Sequence, residues 1–174
     1  WHVDICAKSY RINKKIIDDQ NHNMSINLTK LFSSLPGYHH EISFGINQKL
    51  LKNYSQKQAS IGLENIGFSG ISSNIQINFG EQVENILALN NSLYWSISKQ
   101  LNKNSISLFG NFNKLWDGKI FGLTRNERSE SINIGFKFSN GIDVTYGINH
   151  TKSNIDYYSS TNYIFNINFI NFEL

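Results

Sequence analysis

The stretch Ser131-Ile132-Asn133-Ile134-Gly135-Phe136-Lys137-Phe138-Ser139-Asn140-Gly141-Ile142-Asp143-Val144-Thr145-Tyr146-Gly147-Ile148-Asn149 decides the fold. In its first half Ile132, Ile134, Phe136 and Phe138 take every second position, with Ser131, Asn133, Gly135 and Lys137 between them. After Asn140-Gly141 the alternation resumes, with Ile142, Val144, Tyr146 and Ile148 set against Asp143, Thr145, Gly147 and Asn149. Successive side chains of a strand point to opposite faces, so a repeat of two marks strands. An Asn-Gly pair between two such runs predicts a hairpin in which both turn residues accept φ > 0.

The same repeat extends over the whole chain, and helical periodicity is nearly absent. It predicts about ten strands near 1–10, 22–32, 40–50, 57–69, 73–82, 87–99, 104–115, 129–138, 141–152 and 161–172. Their apolar faces carry, among others, Met24/Ile26/Leu28, Ile42/Phe44/Ile46, Ala59/Ile61/Leu63, Ile75/Ile77/Phe79, Leu89/Leu93/Trp95/Ile97 and Tyr163/Phe165/Ile167/Phe169. In the fourth strand Ile66 and Phe68 have the opposite parity to Leu63, which predicts a β-bulge near Asn65.

Composition narrows the class. The 174 residues are 40% hydrophobic, 13% aromatic and 17% charged, with a single Pro and a single Cys. That aromatic content excludes a disordered chain. Cys6 has no partner, so neither a disulfide framework nor a thiolate zinc site is available. The longest unbroken apolar run, Ile86–Leu89, is far too short for a spanning helix. A net charge of +3, with no basic strip interleaved with aromatics, gives no footprint for nucleic acid. The chain opens at Trp1 without a signal-like segment, which reads as a piece of a longer protein.

Two features favour a membrane barrel over a soluble sandwich. Short connections carrying Leu35-Pro36-Gly37, Ser69-Gly70, Asn102-Lys103-Asn104 and Asn140-Gly141 are expected to alternate with longer polar loops at 11–21, 116–128 and 153–160. The non-apolar face is made of uncharged amides and hydroxyls: Asn23, Ser25, Asn27 and Thr29, then Asn74, Gln76 and Asn78, then Asn90, Ser92, Ser96 and Ser98. Such a wall suits a wet lumen, while the middle of each apolar face holds no ion, as a bilayer requires. Trp1, Trp95, Tyr146 and Tyr163 are candidates for interfacial girdles. The expected fold is all-β, an antiparallel up-and-down transmembrane β-barrel of about ten strands spanning 1–174, or the C-terminal part of a larger barrel.

The C-terminal third carries Trp116-Asp117-Gly118, Arg125-Asn126-Glu127, two alternating strands, Lys152-Ser153-Asn154-Ile155, Tyr157-Tyr158 and a final strand rich in Phe. This layout resembles the barrel end of the surface lipoprotein assembly modifier (Slam) family, outer-membrane proteins with a periplasmic tetratricopeptide-repeat domain. The family ends its chain on an aromatic residue, whereas here Glu173-Leu174 follow Phe172, and its barrel is larger than ten strands. The resemblance implies an outer-membrane location, lipids and the barrel-insertion machinery as partners, and a role in bringing a lipoprotein passenger to or across the cell surface. Trp116, Asp117, Arg125, Glu127, Arg128, Ser153, Asn154 and Tyr157 would be the passenger-contact loop residues. The other readings are a passive porin-like or adhesin-like barrel, a lipid-A-modifying enzyme and a soluble β-sandwich.

No catalytic set, metal or cofactor is expected. His150 and Ser153 differ by an odd number, so within a strand they point to opposite faces. His39-His40 beside Glu41 diverge for the same reason and lack a second ligand pair. Arg125, Glu127, Arg128 and Glu130 form the one dense charge cluster, read either as local ion pairs on a solvated loop or as a contact for a passenger. Ser153, Asn154 and Asp156 read first as a turn tip, because Asn and Asp bond their own backbone.

Overall fold

The computed structural model describes the backbone of residues 2–14, 17–32, 38–51, 54–67 and 69–169, and the side chains of residues 26–32, 38–50, 55–67 and 69–169. Trp1, the Leu35-Pro36-Gly37 turn, Phe68, the end of the last expected strand at 170–172 and the Cys6 side chain lie outside the described residues. Among the described residues there are ten strands: β1 (His2–Lys14), β2 (Ile17–Phe32), β3 (His39–Leu51), β4 (Tyr54–Ile66), β5 (Ile71–Gly80), β6 (Ala88–Leu101), β7 (Asn104–Ile120), β8 (Leu123–Lys137), β9 (Ile142–Ser153) and β10 (Ser160–Phe169). A 3₁₀ turn at Asp156–Tyr158 is the only helical piece among the described residues. The strands form one antiparallel sheet in chain order, each bonded to the next. We call the end with the β1–β2, β3–β4, β5–β6, β7–β8 and β9–β10 connections upper, and the opposite end lower.

Register matches like with like. Phe44, Ile61, Ile77, Leu93 and Phe112 stand opposite one another across five strands. One position along, a polar row crosses the whole sheet: Asp4, Asn27, Gly45, Ser60, Asn78, Ser92, Asn113, Ser129, Thr151 and Ser160. Short side chains in that row bond across strands, with Asn78 Nδ2 donating to Ser92 Oγ at 2.7 Å and Asn113 Nδ2 to Ser129 Oγ at 3.3 Å. The row begins near the lower end of β1 and arrives at the upper end of β10, so the strands are progressively staggered along the sheet.

Burial is inverted relative to a water-soluble domain. Among the described residues Ala88 is the one buried apolar residue, whereas Gln56, Ser92, Ser131, Asn133 and Ser153 are buried polar ones. Ile46 is 66% exposed, Ile132 56%, Phe136 39%, Ile148 39% and Phe165 65%. Scattered exposed apolar residues are ordinary, but a continuous apolar face is not. No dry centre of the kind a sandwich needs is built from Phe136, Ile148 and Ile167, since Ile167 is also exposed.

Several expectations are corrected. The segments 11–21 and 116–128 are not long loops. Their polar residues keep the two-residue repeat and go on pairing, so β1 and β2 nearly meet, and β7 and β8 join through Phe121-Gly122 alone. Those two residues have φ of 50° and 81°, the double positive φ expected of Asn140-Gly141. At the latter, only Gly141 is positive, at 83°: Gly141 N donates to Phe138 O and Phe138 N to Ile142 O, a three-residue loop ending in a bulge. No bulge falls at Asn65, where β4 stays in register with both neighbours; Ile66 simply lies on the polar side. The register shifts instead between Leu89 and Asn91 and between Leu115 and Gly118, which takes Leu89 out of phase with Leu93. Closure is not seen either, since β1 and β10 are the two edges of the sheet among the described residues.

Two glycines are set by their neighbours. Trp95 lies across Gly110 on the apolar face, where an added Cβ would stand 2.9 Å from Cζ2. On the polar face a Cβ at Gly147 would strike Asn133 Oδ1 and stand 2.7 Å from the Ile132 carbonyl oxygen. Gly147→Val is therefore expected to destabilise the sheet by about 1–3 kcal/mol through overpacking. A urea titration in detergent micelles checks this; an unchanged midpoint would contradict the packing described.

Candidate functional site at the upper rim

The bulge in β7 turns Asp117 to φ 75° and carries the strand on to the Phe121-Gly122 turn. Asp117 N donates to Asn126 Oδ1 at 3.1 Å, and Asp117 Oδ2 accepts from Gln82 Nε2 at 3.1 Å, tying the β5–β6 connection to the β7–β8 hairpin. The β9–β10 connection joins the same group. Asn154 Oδ1 accepts from Asn126 N at 2.7 Å while its Nδ2 donates to Thr124 O at 2.7 Å. The side-chain amide of Asn154 thus stands in for a peptide unit and extends the β8–β9 ladder one step beyond the end of β9. Buried Ser153 completes the corner: its N donates to Ser159 Oγ at 3.0 Å, and its Oγ accepts from Ile155 N at 3.2 Å.

Period two divides the charge cluster. Arg125 and Glu127 share the polar face with Ser129 and Ser131, whereas Arg128 and Glu130 share the apolar one with Ile132. Arg125 Nε donates to Glu127 Oε1 at 2.7 Å, its Nη2 bonds the same oxygen, and its guanidinium carbon lies 3.6 Å from the Tyr158 ring centre. Only 20% of the Arg125 side chain and 10% of that of Glu127 are exposed, so this pair is far better shielded than Arg128–Glu130. Tyr157 packs edge-on against Tyr158 with ring centres 5.2 Å apart and is otherwise in solvent. Arg128 lies 4.8 Å from the Phe112 ring centre and bonds Glu130. Trp116 carries Lys114 Nζ at 4.2 Å from its ring centre.

Of the eight expected residues, Asp117, Ser153 and Asn154 are joined by hydrogen bonds through Asn126, and the Arg125–Glu127 pair lies beside them, stacked on Tyr158 with Tyr157 at the margin. Trp116 and Arg128 are not part of this group. Asn126 and Tyr158 are, and were not singled out, although both stand inside the quoted motifs; the cue was that Asn at a strand end bonds backbone. Gln82 and Ser159 had no cue in the sequence. The arrangement is a polar rim in which Asp117, Arg125 and Glu127 each have a bonded partner.

The dispersed candidates stay dispersed. Ser153 is buried on the polar face, whereas His150 is on the other, with Nδ1 2.9 Å from Thr161 Oγ1. His40 Nδ1 is 2.7 Å from Asn65 Oδ1, and His39 Nε2 is 3.9 Å from Glu41 Oε2, so the two imidazoles serve different neighbours. Among the described residues no three His, Cys, Asp or Glu side chains converge on a metal position. Compared with protein-family models, curated proteins and solved structures, the chain matches none.

Asn154→Ala removes both side-chain bonds that bridge the two hairpins and leaves Asn126 N and Thr124 O without that partner. A loss of about 1–2 kcal/mol is expected. Limited trypsin digestion is the check: cleavage after Arg125 and Lys152 should speed up severalfold, and unchanged cleavage would show that the network does not hold the rim.

Proposed function

We propose that the chain forms a closed outer-membrane β-barrel, β10 pairing with β1, or the C-terminal part of a larger barrel, and that it helps lipoproteins reach or cross to the cell surface. The inverted burial carries this reading. A continuous apolar face is stable against hydrocarbon, and a wall of Asn, Ser and Gln is stable against water in a lumen. The charge-free stretch of that face formed by Ile132, Ile134 and Phe136 on β8 and by Ile142, Val144, Tyr146 and Ile148 on β9 adds support, because an Arg or Lys at the bilayer midplane costs about 2–4 kcal/mol.

Stagger supports closure. A barrel closes only when its strands tilt by about 35–45° and the register slips by a fixed amount per circuit. For ten strands, with a rise of about 3.3 Å per residue and a spacing of about 4.8 Å, that tilt corresponds to a slip of about ten to fifteen residues. The polar row climbs from Asp4, near the start of β1, to Ser160, the first residue of β10. A slip of ten brings Ser160 opposite Lys14 and Asn168 opposite Cys6, with matching faces.

The transport role rests on the resemblance to the surface lipoprotein assembly modifier family. Its support is that the motifs behind the resemblance, far apart in sequence, lie side by side at the upper rim. That rim and the lumen wall are the surfaces a passenger would meet.

Asn168→Cys, on the native Cys6, is expected to give an intramolecular disulfide in micelles under mild oxidation, seen as faster migration without reductant. Exclusive formation of cross-linked dimers would contradict closure by β1. The transport role is tested by producing the full-length protein with a surface lipoprotein in a Gram-negative-type envelope. Protease-accessible lipoprotein on intact cells should rise severalfold and fall again with Arg125→Ala at equal barrel levels. Equal exposure with and without the protein would overturn that role and leave the barrel standing.

A further inference from the structure

Lys114, Arg128 and Lys152 stand directly opposite one another on β7, β8 and β9. Like charges at directly opposed positions destabilise a sheet, so this row is not explained by folding. Neighbouring strands lie about 4.8 Å apart, so the row packs its cations within about 10 Å along the sheet. The row below it holds Phe112, Glu130 and His150, and Glu130 bonds Arg128, which leaves the patch net positive. Below that the face turns apolar: Ile132, Ile148, Tyr146 and Tyr163 line a shallow groove of about 350 Å³. At the lower end of the same strands the matching positions are Ile106, Phe136 and Val144, with no charge among them.

We propose that this row binds the phosphate-bearing headgroup of a lipid in the leaflet at the upper rim, with the lipid's acyl chains along the groove beneath. The inference rests on the membrane-barrel reading and adds a ligand to it. Its basis is the vertical order on one face: Trp116 and three cations, then a mixed row, then an apolar surface with groove-like relief. Long cationic side chains at the border of an apolar belt extend toward the polar layer, and each contributes to holding anionic headgroups there. Lys114 lies over Trp116 on the upper side of the row, and Arg128 lies over Phe112 in the row below, so the two cations flank the border of the apolar belt.

The test uses the folded chain in phosphatidylcholine vesicles, with electron spin resonance reporting the motionally restricted fraction of a spin-labelled lipid. Spin-labelled phosphatidic acid is expected to be restricted about tenfold more strongly than spin-labelled phosphatidylcholine. The triple variant Lys114→Gln, Arg128→Gln, Lys152→Gln should bring that ratio close to one, while Lys103→Gln with Lys137→Gln should not change it. Heat-modifiable migration is measured on every variant; if the triple variant fails to fold, Arg128→Gln alone is expected to lower the ratio about threefold. A wild-type chain that inserts and shows no preference, or a folded variant that keeps it, overturns the headgroup site and not the barrel. Displacement by inorganic phosphate but not by chloride at equal ionic strength would make this a soluble-anion site and overturn the lipid assignment. A wild-type chain that never becomes heat-modifiable overturns the barrel reading first, and this site with it.

Discussion

Every strand here has its backbone hydrogen bonds met only from the side, by one neighbouring strand at the two edges and by two elsewhere, and among the described residues no second layer packs above or below the sheet. That single constraint governs the rest. A one-layer sheet has two faces and no interior, so each face must suit whatever medium touches it. Alternation of Ile, Leu and Phe with Asn, Ser and Gly is the composition that suits two different media at once. In a bilayer the lateral bonds must also run unbroken, because an unpaired N–H or C=O in hydrocarbon costs several kcal/mol. The two free edges and the apolar face therefore pose one problem, and closure of β10 on β1 is our proposed solution to both.

The polar face is more specific than a wettable surface needs to be. Small residues fill the row from Asn27 to Ser160, and they are close enough to bond across strands. Where an amide reaches over a neighbouring strand, as Asn133 does, the residue beneath it is glycine. Across the sheet the same economy of space puts Trp95 over Gly110. Such pairs fix the register by shape. A slip of one residue would exchange the two faces, and a slip of two would set side chains where only glycines fit.

Strand interiors were legible because burial on one face enforces a two-residue repeat, and every expected strand has its counterpart. Strand ends were not. The residues of 116–128 look like a loop by polarity, yet Arg125/Glu127 and Arg128/Glu130 obey the same alternation, and that parity outranks composition. Bulges at Asn90 and Asp117 shift the phase without leaving a mark in hydrophobicity, whereas the parity change at Ile66 left a mark and produced no bulge. The Asn140-Gly141 hairpin was found for a partly wrong reason, since one positive φ suffices in a three-residue loop. At the rim, five of the eight residues drawn from the resemblance meet. The interactions that join them run through Asn126, Tyr158 and Ser159, whose importance depends on which strands lie side by side.

The central claim is that the face bearing Trp95 meets hydrocarbon while the opposite face meets water. Tryptophan fluorescence tests it most directly, with Trp1→Phe and Trp116→Phe leaving Trp95 as the sole reporter in lipid vesicles. Lipids brominated along their acyl chains should quench Trp95 strongly, and aqueous iodide should scarcely reach it. Free quenching by iodide with indifference to the brominated chains would mean that water covers this face, and the account would be wrong at its root.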